Sequence, residues 1–263
     1  MTAVAARIPA RRESLAARVW HRSPGAVVLL VIAVAWEVLG ELGLFAFLPS
    51  LRAIADAGVT LLSRGEVWGD WGQTLLEVFA GLAIAVAAGL VLGIAMARSR
   101  VVEALFGHYV DLFQSAPVSA LVPILVLVFG LGKGGIIATV TLFAFFVFTV
   151  NTYVGVQGVD PRTIEMARSF GAGRLTILFK VVIPGALPMI LTGLSLAVGR
   201  GFNGGILGEM LISVIGIGGL LMYYGGAFQA EFVYALMFMV VIVAVVLMTI
   251  VGHFAERLAE RRR

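Results

Sequence analysis

Six apolar runs dominate this sequence, at positions 25–44, 74–97, 110–129, 134–156, 184–207 and 232–251, each about 18 residues or longer. A helix needs about 20 such residues to cross the roughly 30 Å of hydrocarbon in a bilayer, so each run is long enough to span one. None of them alternates strictly between polar and apolar residues, which argues against a β-barrel and leaves the helix as the way to satisfy the backbone in lipid. The chain is therefore expected to be all-α, a polytopic membrane protein with about six transmembrane helices. Composition agrees: 13% of residues are charged, against about 25% in soluble domains.

The first run follows Arg7, Arg11, Arg12, Arg18 and Arg22, as a signal peptide would. It is longer than a signal core of about 7 to 15 residues, carries Glu37 and Glu41, and lacks a small-residue cleavage site, so a retained helix is expected. With alternate loops assigned to opposite sides, 15 of the 19 Lys and Arg residues fall together. The positive-inside bias makes that side cytoplasmic, with both termini inside. The expected divisions are a basic cytoplasmic arm over 1–24, a transmembrane domain over 25–256 with a cytoplasmic loop at 157–183, and a basic tail over 257–263. Because the positive charge is shared among four membrane-flanking segments, topology accounts for it and no nucleic-acid partner is expected. A short helix is expected near 50–62, with Trp68 and Trp71 at the membrane interface.

There is no Cys, so disulfides, thiolate nucleophiles, iron–sulfur clusters and cysteine zinc sites are excluded. His21, His108 and His253 are too scattered for a local metal site, and no metal is expected. No Gly-x-x-x-x-Gly-Lys-Ser/Thr phosphate loop occurs.

The connection between the fourth and fifth runs exceeds twenty residues. It opens with Asp160 and Pro161, a capping residue followed by the residue best suited to a helix's first position. Gly171 and Gly173 permit a turn after that helix. Residues 174–182 set Leu175, Leu178 and Phe179 against Arg174 and Lys180, as in a helix lying along a surface.

Glu165-Met166-Ala167, Gly171 four residues beyond that Ala, and then Val181-Val182-Ile183-Pro184 resemble the EAA loop of permease subunits in binding-protein-dependent ABC importers. Met166 departs from the motif's second Ala. The resemblance continues through Ala116-Pro117, Pro123, Phe129-Gly130-Leu131-Gly132, Asn151-Thr152-Tyr153, Gly158-Val159-Asp160-Pro161 and Gly208-Glu209-Met210, along the branch that includes sulfonate, taurine and nitrate permeases. It implies a type I importer permease fold in a bacterial inner membrane. The implied partners are a second copy of the chain (a homodimer), an ABC ATPase subunit carrying ATP and Mg, and an external solute-binding protein. The chain itself would hold no cofactor and catalyse nothing. Asp160, Pro161, Glu165, Ala167, Arg168, Phe170, Gly171 and Pro184 would form the ATPase-coupling element. By the same resemblance, the Gly216–Tyr224 region would meet the binding protein.

Within the spans, Arg200 stands out because an ionisable side chain in lipid is costly. It lies sixteen positions after Pro184, roughly 24 Å along a helix. It either lines the solute pathway with Asn203, favouring an anion, or is neutralised by Glu37, Glu77 or Glu209. Glu41 and Glu77 are expected at the interface. Gln114, Ser115, Pro117, Ser119 and Pro123 read as a cavity-lining break or as a simple kink. Asn151 and Tyr153 read as a gate or as interhelical hydrogen bonds. Asn151 and Glu209 complete the candidate pathway. Phe143, Phe145, Phe146 and Phe148, and the methionines of the last run, read as packing or lipid contact. The rival functions are an ion-driven secondary transporter, which would need inverted repeats with membrane-buried carboxylates or broken helices in matching halves, none of which is found in the sequence, and a haem-bearing membrane enzyme, which would need facing His pairs.

Overall fold

A computed structural model describes residues 24–45, 47–212 and 215–260. The basic arm expected over 1–24 lies outside the described residues except for Pro24, as do the last three residues of the expected tail. The described chain is helical. α1 is Pro24–Glu41, α2 Leu51–Ser63, α3 Gly65–Arg98, α4 Arg100–Ser115, α5 Val122–Phe129, α6 Lys133–Gln157, α7 Pro161–Ser169, α8 Arg174–Ile177, α9 Ile183–Ile212, α10 Ile217–Gly226 and α11 Ala230–Glu260.

Among the described residues, four helical stretches are long and apolar enough to cross a membrane: α3, α6, the 39-residue path Arg174–Ile212, and Ala230–Phe254 within α11. A fifth crossing is possible as a pair, because the third apolar run is not one rod. α4 and the 118–129 segment meet at 103°. The proline ring of Pro117 disfavours a helical conformation at the preceding residue, and Ala116 is extended with ψ 152°. Pro123 then sits in the first turn of α5, where its missing N–H costs nothing. The first apolar run forms the 18-residue α1, with most of its apolar side chains exposed.

The core lies where α3, α6 and α9 pack together, around Val78, Val140, Phe148, Ala197 and Phe202. α3 runs parallel to α6, so that Gly81 meets Val140 and Gly93 meets Thr149 and Thr152. α9 runs antiparallel to α6, with Gly193 on Asn151 and Gly204 on Phe143. Small residues let these backbones approach closely, which is how helices associate where the surrounding lipid is as apolar as the side chains. At Gly93 an added Cβ would lie 2.8 Å from the Thr149 carbonyl oxygen. Gly93→Leu is expected to cost about 1–3 kcal/mol through overpacking, read as a lower melting temperature of the purified protein.

Two acidic side chains sit differently from expectation. Glu77, expected at the interface, is fully buried. Glu37 turns back to α2, where its Oε2 accepts the Leu51 N–H at 2.6 Å, a carboxylate at a helix N-terminus. Ser50 caps the same helix by accepting from Ala53. Trp68 is exposed while Trp71 is buried, so only one of the two indoles is free for an interface. α3 starts nine residues before its apolar run, at Gly65, and at 1.5 Å per residue it reaches well beyond the hydrocarbon thickness.

Candidate functional site

The 157–183 connection is built from its caps. The Asp160 carboxylate accepts the Arg162 N–H at 2.9 Å, and Pro161 opens α7. At the far end the Ala172 N–H reaches the Ala167 carbonyl at 3.1 Å and the Gly171 N–H reaches that of Arg168 at 2.9 Å. These two bonds make a Schellman motif, whose αL position is Gly171 at φ +78°. Ile164, Ala167 and Ala172 form the inner face of the element and pack against the core. Glu165, Arg168 and Phe170 are left on the outside, Phe170 at 85% exposure. Met166, one turn before Phe170, is also exposed. The sequence offers an i, i+4 spacing that puts Met166 and Phe170 on one face of α7.

After Gly173 the chain re-enters through α8 and a widened π turn over Leu178–Val182. A separate surface helix was expected here, but the segment continues into α9. The reason lies at Pro184. It has no N–H for a regular helical bond, and its ring would collide with the Lys180 carbonyl, so the helix widens just before it. Leu175 and Phe179 remain exposed, and Ile177 and Val182 are buried.

A cavity of about 240 Å³ lies where the α4–α5 break meets α6 and α9, lined by Gln114, Pro117, Ser119, Phe143, Phe146 and Arg200, among others. Phe113 stacks on Phe146 with ring centroids 4.9 Å apart. Among the described residues, no carboxylate lines the cavity. The three glutamates that might have neutralised Arg200 bond elsewhere: Glu37 to the Leu51 N–H, Glu77 to Gln73 and Glu209 to the Gly218 N–H.

Of the six residues read as the pathway, Arg200 and Gln114 share this cavity and the other four do not. Asn203 is exposed outside its lining. The Ser115 hydroxyl donates to the Asp111 carbonyl one turn back. Asn151 donates to the Val147 carbonyl and packs on Gly193. Glu209 is buried against Gly216 and Gly218. Phe143 and Phe146, read from sequence as packing, are cavity walls. Their i, i+3 spacing puts them on one face of α6, but nothing in the sequence said what that face meets. Tyr153 joins α6 to α4, its hydroxyl bonded to Glu103 and accepting from Gln157. With Arg100, His108 and Asp111, these two helices enclose a second cavity of about 570 Å³.

The chemistry available at the first cavity is recognition: one guanidinium, one amide and one hydroxyl among phenyl rings suit an anion. Among the described residues, no group of three His, Asp or Glu side chains could hold a metal ion.

The model of the family described as "Binding-protein-dependent transport system inner membrane component" matches residues 85–263. The taurine transport system permease protein TauC of Escherichia coli K12 is 28% identical over 226 residues, covering 83% of this chain and 82% of that protein. The putative aliphatic sulfonates transport permease protein SsuC of the same organism is 29% identical over 227 residues, covering 86% of this chain and 83% of that one. Among solved structures, an inward-facing conformation of the MetNI methionine ABC transporter aligns with a TM-score of 0.59 at 21% identity, covering 77% of this chain and 96% of that one. A fold of broken and small-residue-packed helices, an EAA-type loop held by matched caps, and a family model spanning most of the chain lead to one conclusion: this protein belongs to the binding-protein-dependent transport system inner membrane components, the permeases of ABC importers.

Proposed function

We propose that this chain forms the translocation pathway for a small organic or inorganic anion of the sulfonate type, delivered by an external solute-binding protein. The observation that carries the anionic reading is Arg200, which lines a phenyl-walled cavity that no carboxylate of the described residues lines. The names of the taurine and aliphatic sulfonate relatives support the solute class. In this reading a separate ATPase holds ATP and Mg, the chain itself works without a cofactor, and two copies of the chain pair as a homodimer. Both termini and α7 face the cytoplasm.

α7 is the lever. Asp160 and Pro161 fix its start, Ala167 fixes its inner face, and Gly171 fixes its end, while Glu165, Arg168 and Phe170 face the ATPase. Pro184 and the π turn before it carry the displacement of α7 into α9. Closure of the ATPases on ATP then changes the relative stability of two packings of the bundle, one open to each side.

Reconstitution with the cognate ATPase and binding protein in proteoliposomes tests the reading, with butanesulfonate as the probe. Uptake is expected only when ATP, ATPase and binding protein are all present. Uptake by the chain alone under an ion gradient would replace the importer reading with that of a secondary transporter.

A further inference from the structure

The cavity of about 570 Å³ between α4 and α6 has no part in the pathway just described. Beside it, α6 is fixed on two sides. Thr152 packs on Gly93 of α3, and a Cβ on Gly155 would lie 2.8 Å from Met189 Cβ of α9. On its third side α6 packs far less on α4 than on α3 or α9, since both helices line the cavity over this stretch. Side-chain contacts tie α4 to α6 towards both of its ends. Near the end of α4, Phe113 stacks on Phe146 with centroids 4.9 Å apart. Near its start, Glu103 accepts the Tyr153 hydroxyl proton, and that hydroxyl accepts in turn from Gln157 Nε2 at 2.7 Å.

The polar tie has one sense only. A tyrosine hydroxyl has a single proton to give, and Gln157 one turn further along α6 fills its acceptor side. The relay therefore runs from Gln157 through Tyr153 to Glu103 with each donor matched to an acceptor, and a carboxylate acceptor makes the last bond a strong one. α4 holds its partner in place: Ser99 caps the helix by accepting the Val102 N–H, and Glu103 stands in the first turn. Each end of the relay adjoins a functional element. Gln157 closes α6, three residues before the Asp160 cap of α7. Glu103 lies roughly 16 Å along α4 from Gln114, and Gln114 and Pro117 wall the Arg200 cavity.

We infer that Tyr153 is a positioning residue of the transport cycle: its hydroxyl latches the start of α4 to the α7 end of α6, and so sets where the Gln114–Pro117 wall stands against Arg200. The inference rests on the importer reading and adds a second route to it. Displacement of α7 reaches α9 through Pro184, and it reaches α4 through the last turn of α6 and this latch. With the latch made, α4 keeps the packing described here. With it broken, α4 is free to pivot about the Phe113–Phe146 stack, which moves the cavity wall while α3, α6 and α9 keep their small-residue contacts.

The chain has no Cys, so Val150→Cys places a single reporter thiol at a half-buried position of the cavity lining. The test labels this full-length protein in nanodiscs with a water-soluble maleimide. Tyr153→Phe removes one hydroxyl and keeps the ring. It is expected to speed labelling at least about threefold, the population change that loss of one hydrogen bond brings, and to lower the melting temperature by no more than about 4 °C. Glu103→Ala should act alike, whereas Glu103→Gln, whose amide oxygen still accepts from Tyr153, should stay near the wild-type rate. With ATPase and binding protein in proteoliposomes, Tyr153→Phe should take up about three- to tenfold less butanesulfonate per ATP hydrolysed, a ratio that a loss of folded protein alone would not move. Unchanged labelling in Tyr153→Phe, or equal labelling in Glu103→Gln and Glu103→Ala, would overturn the latch. Faster labelling with uptake per ATP unchanged would overturn its positioning role. The labelling needs no ATPase, so a wild type that shows no ATP-driven uptake would count against the importer reading and leave the latch to be judged by its own result.

Discussion

Gly171→Val is expected to separate this permease from its ATPase and to reduce ATP-driven uptake by at least about tenfold, while the helical bundle stays folded. The expectation rests on the backbone. Gly171 sits at φ +78°, and its ideal Cβ would have no heavy atom within 4 Å, so there is room for a side chain but no comfortable conformation for it. A β-branched residue there costs about 1–3 kcal/mol, and a tenfold change in an equilibrium needs only about 1.4 kcal/mol. α7 has nine residues, too few to hold a helix on its own. Relief of the strain comes from unwinding its Schellman end, which moves the exposed Phe170 and Met166 off the surface they present. Gly171→Asn is the matched control, since Asn tolerates the left-handed region far better, and it should retain most co-purification and uptake. Equal loss in the two variants would point to side-chain size rather than backbone strain. Unchanged co-purification and transport in Gly171→Val would remove α7 from the coupling path.

The division between what the sequence disclosed and what it hid follows the range of the interactions. The capped ends of α7 are local chemistry, a carboxylate two residues from the N–H it accepts and a glycine at the one position with positive φ, and both were readable. The start of α2 at Ser50 was readable for the same reason. The break at Ala116-Pro117 was visible as a break, because the steric rule linking a proline to its predecessor is local. Its angle was not, since that depends on how α5 packs against α6 and α9 through Val122, Ile136 and Ile212.

The fate of the buried charges was beyond the sequence altogether. Glu37, Glu77 and Glu209 were equal candidates to neutralise Arg200, being similar residues on neighbouring spans. Only the register between helices decides their partners. The register that places Gly204 on Phe143 brings Arg200 to the level of Phe143–Val147 and leaves Glu209 about two and a half turns further along α9, against Gly218. Phe143 and Phe146 pack as read, against the Val122 cluster and Phe113, but that they also wall a cavity was hidden for a related reason, as an aromatic face looks the same in sequence whether it meets lipid, core or cavity.

Arg200→Gln gives the second large effect, and its pattern distinguishes the two roles open to a membrane arginine. If Arg200 binds the travelling anion, its removal takes away a charge-assisted hydrogen bond worth about 1.5–3 kcal/mol, and uptake of butanesulfonate at low concentration should drop by about ten- to a hundredfold. The folded protein should hardly notice: with no carboxylate among the described residues lining the cavity beside the exposed guanidinium, no charge is stranded, and the stability change should stay within about 0.5 kcal/mol. A structural ion pair would give the reverse, because deleting one partner of a buried pair costs about 3–5 kcal/mol and would lower the melting temperature along with the yield. Arg200→Lys refines the test. It restores the charge but not the planar fork of donors, so uptake should recover only in part, and more for a monatomic or spherical anion than for a sulfonate that can use two donors at once. Measuring uptake and melting temperature on the same preparations decides the matter: intact uptake in Arg200→Gln, or a large loss of stability with it, would take Arg200 out of the pathway and leave the cavity without its ligand-binding charge.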